Sequence, residues 1–519
     1  MTLMDSLKRM WRETLFPMEA SGDVRGRAWH WVVLTIVASL LLFSNMGFHL
    51  LEPDEGRYAQ IPREMLETGD WVVPTLQSEP YLDKPPLMYW LVSLSYRTFG
   101  VSAGVARLVP GLCVLLTILS VYGIGKRSLG CRAAFGAALM LTASPGFLEM
   151  GRLLILDGLL TFCVTVSVLC GYEAVRTGRF QWSWWLMAAV FSGLGFLTKG
   201  PIAEVLLFPP MLAVGWLSGR LAKVGWKGYL AFALTVLGVS LPWYIAMAMR
   251  RPEFVSHFFI EHNLKRFAQP FDHLQPIWYY APVLVGGLLP GIPVAILMVR
   301  DLGFRSAGRN RGLSSAGAFW LFAGCWCVAF FSASGSKLPT YVLPAFPALC
   351  LALGEFVERT SRWTWAWAGM GPCMIGLFVV NVWLLPAYAK DRSPVGRPEL
   401  VLPYVVDPSV AVATYPRTVD SLAFAVGRRD FDRTRSRDQN QLILDSHFRP
   451  RTVVLFTHRH SLDGFLKNLP PSLTVTQSTS LKRTTSKSFW DRLVGDSPWG
   501  LCDIVVVQPT ESVAVSIPE

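Results

Sequence analysis

Eleven apolar stretches, each close to the length needed to cross a bilayer, constrain this chain more than any other feature of its sequence. A hydrocarbon core of about 30 Å requires a helix of about 20 mostly apolar residues. The stretches lie at residues 29–51, 103–125, 132–148, 153–175, 182–198, 201–217, 228–248, 278–299, 316–334, 339–357 and 364–386. A shorter apolar run at residues 85–99 is either a further span or a helix in the membrane interface. We therefore predict an α-helical polytopic membrane protein with about 11 to 13 transmembrane helices.

The charged residues divide the chain near Pro386. Only 16% of all residues are charged, which excludes an ordinary cytosolic enzyme, yet residues 387–519 hold 31 of the 84 Lys, Arg, Asp and Glu side chains. Within this segment, residues 410–414, 452–456 and 503–507 resemble strands, and residues 463–469 have a helical pattern. The predicted parts are an N-terminal segment (1–28), a transmembrane domain (29–386) with a long loop (52–102), and a small α/β domain (387–519).

Lys and Arg predict the orientation of the spans, because they are enriched in cytoplasmic loops. With the N-terminus inside, 19 of the basic residues in the first 386 lie in inner connections and 12 lie outside. An odd number of spans then places the C-terminal domain on the outer side. The net charge of +12 mostly reflects this excess of Lys and Arg in the inner connections, so it does not favour a nucleic-acid partner.

The unusual ionisable residues converge on the outer side of this topology. Charges at membrane depth are costly and by default indicate a functional site. The outer loops and the adjoining helix ends contain Asp54, Arg57, Tyr58, Asp83, Lys84, Asp157, Lys199, His262, Arg266, Lys337 and Tyr341. Apolar residues at positions 58, 61, 65 and 66 also predict a short amphipathic helix over residues 54–70 that rests on the interface.

Cations mixed with isolated carboxylates at a bilayer boundary suit a phosphorylated lipid of which one bond is broken. Cations stabilise the phosphate as a leaving group, and a carboxylate can accept a proton from an attacking hydroxyl. Each residue alone also has a plainer interpretation. Asp157 could form an ion pair with Arg152 or Lys199, the lysines could extend toward lipid phosphates, and His262 could be an ordinary loop histidine. The residues taken together favour a functional site for a phosphorylated lipid.

Seven motifs carry a resemblance to a known family. In chain order they are PDEGRYA (53–59), EMLETGDWVVP (64–74), DKPPLMYW (83–90), DG (157–158), LTKGP (197–201), EHNLKRF (261–267) and SKLPTYVLP (336–344). With these motifs the chain resembles the lipid A aminoarabinose transferase family. These are membrane glycosyltransferases of the GT-C fold, related to the protein O-mannosyltransferases.

The resemblance implies transfer of a sugar, such as 4-amino-4-deoxy-L-arabinose, from an undecaprenyl phosphate carrier to lipid A. It implies inversion at the anomeric carbon, a location in the bacterial inner membrane, and an active site and C-terminal domain on the periplasmic side. At matching positions, Asp54 would be at the catalytic centre and Asp157 would be a second carboxylate. The implied substrate-binding residues are Lys84, Arg57, Tyr58, Lys199, Arg266, Lys337 and Tyr341.

The resemblance requires no cofactor, but it implies that a zinc ion can be held between Asp83 and His262. This chain has Asp83 where the family commonly has Glu, and its shorter side chain reaches less far. Two protein ligands are also fewer than zinc sites ordinarily use.

Other functions remain open at the level of sequence. A protein O-mannosyltransferase-like enzyme, or another lipid-sugar transferase, would use a similar carrier with a different acceptor. A flippase for lipid-linked sugars would also gather charges around a lipid phosphate. A transporter should carry polar residues near the bilayer midplane in both halves of an internal repeat, whereas this chain concentrates them at one face.

Overall fold

The computed structural model describes residues 24–217, 223–265, 273–304, 313–432, 438–481, 489–494, 500–501 and 503–510. The chain divides into two compact units. Unit 1 takes its described residues from Met1–Ser44, Leu82–Met88 and Leu108–Val380. Unit 2 takes its described residues from Asn45–Tyr81, Tyr89–Arg107 and Asn381–Glu519.

The helices up to residue 265 mostly follow the apolar stretches of the sequence. They are Val24–Phe43, Asp54–Thr68, Leu87–Phe99, Ala103–Leu129, Cys131–Thr142, Pro145–Arg152, Leu156–Arg176, Trp182–Lys199, Ile202–Leu217, Trp226–Arg250, the short turn Glu253–Val255 and the π-helix Ser256–Lys265. A hairpin of two short strands, β1 (Thr75–Leu76) and β2 (Glu79–Pro80), follows the Asp54–Thr68 helix.

The helices after residue 272 include three short irregular elements, two 3-10 turns and one π-turn. They are Tyr280–Gly287, the 3-10 turn Leu289–Gly291, Ile292–Phe304, Ser315–Ala333, the 3-10 turn Pro339–Val342, Ala345–Thr360, Trp363–Val379, the π-turn Val380–Leu384, Leu385–Arg392, Pro398–Val405, Asp420–Val426, Gln439–Ser446, Arg459–Lys467 and Phe489–Val494. Four strands accompany them: β3 (Ala411–Tyr415), β4 (Thr452–Phe456), β5 (Leu473–Ser480) and β6 (Asp503–Pro509).

Each of the eleven predicted stretches overlaps a helix, but few of those helices are long and uninterrupted. Among the described residues, five helices are long and apolar enough to cross a membrane, and up to seven if each bent pair is one span. The bent pairs are Cys131–Thr142 with Pro145–Arg152, at 61°, and Tyr280–Gly287 with Leu289–Leu302, at 86°. The fold is thus the predicted polytopic helical one, and the count of 11 to 13 spans stays a prediction.

The first helix is shorter than predicted. It ends at Phe43, whereas the apolar stretch continues to residue 51. Asn45 has a φ of +48°, in the left-handed region that commonly follows a helix end and that Asn tolerates better than most residues. Hydropathy alone therefore overestimated this span by several residues.

Small residues allow the helices of unit 1 to pack closely. Helix Leu156–Arg176 is almost entirely enclosed, because 94% of its most apolar window is buried. Helix Ala345–Thr360 crosses helix Cys131–Thr142 at Gly354, where an added Cβ would lie 2.5 Å from Ala133 O. Such close backbone approach is typical of helix packing in membranes. Helices in lipid associate through close van der Waals packing, which small residues permit, because lipid provides no hydrophobic driving force between them.

Three of the basic residues predicted to lie inside form ion pairs with carboxylates at helix ends of unit 1. Arg127 Nε lies 3.0 Å from Glu173, and Arg132 Nε lies 3.7 Å from Glu358. Arg362 is 2.9 Å from Asp301. These residues belong to helix ends opposite those that carry Asp157 and Lys199, in agreement with the alternation that the charge pattern requires. Their placement relative to the cytoplasm stays a prediction.

Unit 2 contains a four-stranded mixed sheet in the order β3-β4-β6-β5, with β3 and β4 parallel and the other pairs antiparallel. Three of the strands were predicted to within a few residues. Strand β5 was not predicted, because it is an exposed edge strand of polar residues in which only Leu473 is buried. The helix expected at residues 463–469 is Arg459–Lys467. The small C-terminal α/β domain is thus confirmed as a fold.

Candidate functional site

Asp157 and Lys199 form a close ion pair at one end of unit 1. Asp157 is in the first turn of helix Leu156–Arg176, and Lys199 is the last residue of helix Trp182–Lys199, which packs beside it. Lys199 Nζ donates to Asp157 Oδ1 at 2.6 Å. A carboxylate at a helix start and an ammonium at a helix end both interact favourably with the helix dipoles. The ion pair considered as the plainer interpretation of Asp157 is therefore present, and it leaves Lys199 18% exposed.

Tyr341 lies against the same lysine. The Lys199 ammonium is 4.5 Å from the centre of the Tyr341 ring, within the range of a cation–π contact. Tyr341 belongs to the 3-10 turn Pro339–Val342, which follows helix Ser315–Ala333. Three separate connections of unit 1 thus bring a carboxylate, an ammonium and a phenol together. Their placement on the outer side of the membrane stays a prediction.

Lys337 is near in sequence to Tyr341 but has a different environment. It is 3% exposed, and its ammonium donates to Ser334 O and, at 2.9 Å, to Gln275 O. Its backbone N–H donates to His273 O at 3.0 Å. Lys337 therefore ties the turn after one helix to the segment before another. Its assignment to substrate binding stays a prediction, and the contacts favour a supporting role.

Asp83 lies between two histidines. His257 Nε2 is 3.0 Å and His262 Nε2 is 3.3 Å from Asp83 Oδ1. Burial alone would raise the pKa of Asp83, but hydrogen bonds from His262 and His257 and the charge of the adjacent Lys84 hold that pKa well below its usual range. Asp83 thus remains an anion at neutral pH and can serve as a ligand.

His257 was missed by the sequence analysis. The two histidines are five residues apart, a spacing that an α-helix does not place on one face. They lie on the π-helix Ser256–Lys265, whose i to i+5 hydrogen bonds bring positions five apart into register. One ligand atom from each of Asp83, His257 and His262 lies within 4.8 Å of the others.

The three-residue group fits a zinc ion better than the two residues predicted. Zinc accepts imidazole nitrogen and carboxylate oxygen at about 2.0 to 2.2 Å, usually with four ligands. Bonds of this length at tetrahedral angles place donor atoms about 3.4 Å apart, and two of the three donor pairs here, at 3.0 and 3.3 Å, are close to that spacing. His257 Nδ1 also contacts Glu261 Oε2 at 3.1 Å, the kind of carboxylate contact that orients a ligating histidine.

Arg266, predicted to grip the carrier phosphate, lies outside the described residues. Lys84 directly follows Asp83, and its charge contributes to the low pKa of that neighbour. Both assignments stay predictions.

Asp54, Arg57 and Tyr58 belong to unit 2, in the amphipathic helix Asp54–Thr68, which confirms the predicted helix. The helix ends where Gly69 adopts a φ of +70° and its N–H returns to Met65 O. Asp54 is the first residue of the helix, and its side chain is 43% exposed. Arg57 Nη1 lies 3.7 Å from Asp54 Oδ1.

Arg57 and Tyr58 face different surroundings on this helix. Burial alone would lower the pKa of Arg57, but Tyr81, Tyr58, Asp420 and Asp54 raise it well above its usual value. Tyr58 is 5% exposed and packs near Tyr89, with ring centres 6.1 Å apart. Arg57 is therefore a permanent cation beside Asp54, and Tyr58 is largely a packing residue.

A buried ion pair fixes the start of this helix and was also missed. Arg107, which is fully buried, donates to both carboxylate oxygens of Glu55, at 2.8 and 2.6 Å. The same guanidinium donates to Met46 O and Phe48 O. A lone arginine inside an apolar stretch indicates that a partner exists. Sequence does not say that the partner is 52 residues away.

Glu52 adds a carboxylate just before the helix. Its Oε1 accepts the Ser421 N–H at 2.6 Å, and its Oε2 is buried with no hydrogen-bond partner among the described residues. Enclosure by the protein and the charge of Asp420 raise the pKa of Glu52 to about 8, against the opposing effects of Ser421 and Arg57. At neutral pH this side chain is therefore mostly protonated.

The raised pKa gives a testable stability effect. Glu52 has an ordinary pKa of 4.5, so folding takes up a proton between pH 4.5 and about 8, and stability falls as pH rises through that range. Glu52→Gln cannot ionise. We expect it to unfold like the parent near pH 5 but to be more stable by about 3 to 5 kcal/mol at pH 9. Thermal unfolding of both proteins in detergent from pH 5 to 9 measures the difference, and a gap independent of pH would contradict the assignment.

Comparison with known proteins gives one family model and many relatives. The family model described as dolichyl-phosphate-mannose-protein mannosyltransferase matches residues 83–245. A protein of Pseudomonas aeruginosa (strain UCBPP-PA14), named undecaprenyl phosphate-alpha-4-amino-4-deoxy-L-arabinose arabinosyl transferase, is 31% identical over 71% of this chain and 67% of its own length. A relative of the same name from Edwardsiella ictaluri is 33% identical over 64% of this chain. This chain spans 60% of the length of that relative.

A solved structure has the same fold. The crystal structure of ArnT from Cupriavidus metallidurans bound to undecaprenyl phosphate aligns with a TM-score of 0.70, covering 95% of this chain and all of that one. The two sequences are 20% identical over the alignment.

Proposed function

The chain belongs to the lipid A aminoarabinose transferase family, of the GT-C fold, and from this we propose that it transfers a sugar from an undecaprenyl phosphate carrier to an acceptor at the membrane surface. The proposed sugar is 4-amino-4-deoxy-L-arabinose, which the names of the relatives specify. The proposed acceptor is lipid A. The proposed location is the bacterial inner membrane, with transfer on the periplasmic side.

One geometric observation supports this proposal most. Asp157, Lys199 and Tyr341 come from three different connections of unit 1 and meet at one end of its helices. A phosphate that approaches Lys199 would meet an ammonium already oriented by Asp157 and a phenol that can donate a hydrogen bond. Charge-assisted contacts of this kind are among the strongest in proteins, and preorganised donors stabilise a developing anion.

The proposed reaction exchanges one bond for another at the anomeric carbon. The bond from that carbon to the carrier phosphate oxygen breaks with its electron pair, and a bond to the acceptor oxygen forms from the opposite face, which inverts the configuration. The released undecaprenyl phosphate carries one more negative charge than in the ester. Lys84, Lys199 and Arg266 are proposed to stabilise that charge.

Asp54 has one of two proposed roles, depending on the acceptor. A hydroxyl acceptor loses a proton, which a carboxylate can accept. A lipid A phosphate is already ionised, and Asp54 would then stabilise positive charge that develops at the anomeric carbon. Its exposure at a helix start permits either role, and Arg57 holds it from one side.

A second function has its own support. The mannosyltransferase family model matches residues 83–245, which include the Asp83, Lys84, Asp157 and Lys199 positions. A protein O-mannosyltransferase-like enzyme would use the same cations with a protein hydroxyl as acceptor. Mass spectrometry of lipid A and of glycoproteins from cells with and without the intact gene separates the two. Loss of a sugar from lipid A supports the first proposal, and loss from protein alone supports the second.

We also propose that Asp83, His257 and His262 hold a zinc ion. When bound, such an ion supplies a fixed positive charge and a crosslink between its ligands. In this chain the crosslink would join Asp83, the residue before Lys84, to the π-helix Ser256–Lys265. Asp83, kept anionic by its neighbours, then restrains the backbone from which Lys84 extends.

Zinc content tests this assignment directly. Removing His257 leaves two protein ligands, so His257→Ala is expected to bind zinc about tenfold more weakly than the parent. Competition with a chromophoric chelator measures the affinity in purified protein. His447→Ala is the matched control, because His447 bonds to Ile443 O and Ser472 Oγ in unit 2. Equal affinity of parent and His257→Ala would remove His257 from the site.

A further inference from the structure

The Asp54–Thr68 helix is held along its length by one segment of the C-terminal part of the chain, residues 420–431. All of these residues belong to unit 2. Near the middle of the helix, Gln60 Nε2 donates to Arg428 O at 2.8 Å. One turn later, Arg63 Nη1 donates to Phe424 O at 3.2 Å. The segment thus satisfies polar groups of the helix with its own backbone carbonyls.

The helix and this segment approach closely at Gly56, between Asp54 and Arg57. A Cβ at this position would lie 2.5 Å from Ser421 N and 2.7 Å from Glu52 Oε1. The first of these atoms is backbone, which cannot move aside as a flexible side chain can. Glu52 Oε1 also accepts the Ser421 N–H. Gly56 is therefore required by the contact itself, and any larger residue must push the helix start and Ser421 apart.

The β1-β2 hairpin is fixed to the same segment. Gln77 and Ser78 adopt φ values of +56° and +63°, unusual for residues other than glycine, and their N–H groups both donate to Glu64. Gln77 Oε1 accepts the Phe431 N–H, and Ser78 Oγ donates to Arg429 O. The helix and the hairpin that follows it are thus joined to residues 420–431 on two sides.

The segment also places a charge near Arg57. Asp420 is 2% exposed, and it acts on Arg57 together with Asp54. Gln77 Nε2 lies 3.5 Å from Asp420 Oδ1. Asp420 is thus a second carboxylate near Arg57, and it is buried, whereas Asp54 is 43% exposed. Asp54 is then not the sole carboxylate available to that guanidinium.

We propose that residues 420–431 are a positioning element for Asp54 and Arg57, with Gly56, Glu52 and Asp420 as positioning residues. This inference rests on the proposed function for its kinetic consequence. The C-terminal domain thereby sets the orientation of a group in the transfer chemistry. A variant that displaces residues 420–431 from the Asp54–Thr68 helix should lower turnover. It should leave recognition of the carrier phosphate largely intact, because the proposed phosphate-binding cations Lys84 and Lys199 belong to unit 1.

Gly56→Ala tests the positioning role. The added methyl group is expected to lower kcat about tenfold while changing the KM for the donor less than twofold. Gly47→Ala is the matched control: Gly47 is in unit 2, and a Cβ there meets no described atom within 4 Å. It is expected to behave like the parent. Parental kcat in Gly56→Ala would overturn the proposal.

Two variants of Glu52 keep the test valid if Gly56→Ala fails to fold. Gln retains an oxygen that can accept the Ser421 N–H, whereas Ala does not. Glu52→Gln is therefore expected to retain most of the turnover, and Glu52→Ala to lose about tenfold in kcat. Equal activity of the two variants would overturn the proposal.

A readout that does not depend on activity separates this inference from the proposed function. Hydrogen exchange measured by mass spectrometry should be faster in residues 54–60 of Gly56→Ala or Glu52→Ala than in the parent or Gly47→Ala. If the parent consumes no donor but the exchange pattern is as expected, the proposed function fails and the positioning contact stands. Unchanged exchange in both altered proteins would overturn the positioning element itself.

Discussion

Replacing Asp54 by asparagine is expected to lower donor turnover by about a hundred- to ten-thousandfold. The side chain starts a helix, is 43% exposed and is 3.7 Å from Arg57, so it is accessible and oriented. Asparagine nearly matches its shape but cannot accept a proton or provide a negative charge. Both proposed roles of Asp54 are therefore lost in this variant, whichever acceptor is used.

Glu67→Gln is the matched control for Asp54→Asn. Glu67 is on the same helix, is 39% exposed and pairs with Arg63 at 2.8 Å. It loses one charge in the same way but is not assigned to chemistry. Consumption of the undecaprenyl phosphate sugar by purified proteins, measured from pH 5 to 9, gives the comparison. Near-parental turnover of Asp54→Asn at every pH would remove Asp54 from the catalytic assignment.

Lys84→Ala is expected to lower kcat/KM for the donor about ten- to a hundredfold, while the protein still folds and inserts. It removes a proposed charge-assisted contact to the carrier phosphate, worth about 1.5 to 3 kcal/mol. Lys84→Arg keeps the charge and should retain part of the activity. The same loss is expected for Arg266→Ala on the basis of the sequence.

Lys227→Ala is the control for the loss of a lysine. Lys227 is exposed, and it belongs to a connection predicted to lie on the inner side. The donor assay used for Asp54 applies, with thermal unfolding as the check on folding. If Lys84→Ala used the donor as well as Lys227→Ala does, Lys84 would be a structural or lipid-facing cation.

Local periodicity accounts for much of what could be predicted. The amphipathic pattern at positions 58, 61 and 65 gave a helix that the structure bounds at Asp54 and Thr68, with Tyr58, Ile61 and Met65 buried. Burial of one face is a local property that spacing reveals directly. The strands at residues 452–456 and 503–507 were predictable for a similar reason, because both are buried runs of β-branched and aromatic residues.

Contacts distant in sequence account for what was missed. Arg107 pairs with Glu55, and Ser421 pairs with Glu52 across 369 positions, so no local pattern indicates either partner. His257 was not predicted as a metal ligand, because the π-helix changes which positions share a face. Hydropathy also does not detect breaks such as the one between Thr142 and Pro145, which separates a single apolar stretch into two helices.

The proposed transfer is tested most directly with purified components. The protein is incubated with undecaprenyl phosphate-linked 4-amino-4-deoxy-L-arabinose and lipid A, and both lipids are followed by mass spectrometry. We expect free undecaprenyl phosphate and lipid A bearing one added sugar to form in equal amounts, with Asp54→Asn giving neither. Intact donor after incubation with folded protein, or donor that crosses a vesicle bilayer without being cleaved, would contradict the proposed glycosyl transfer.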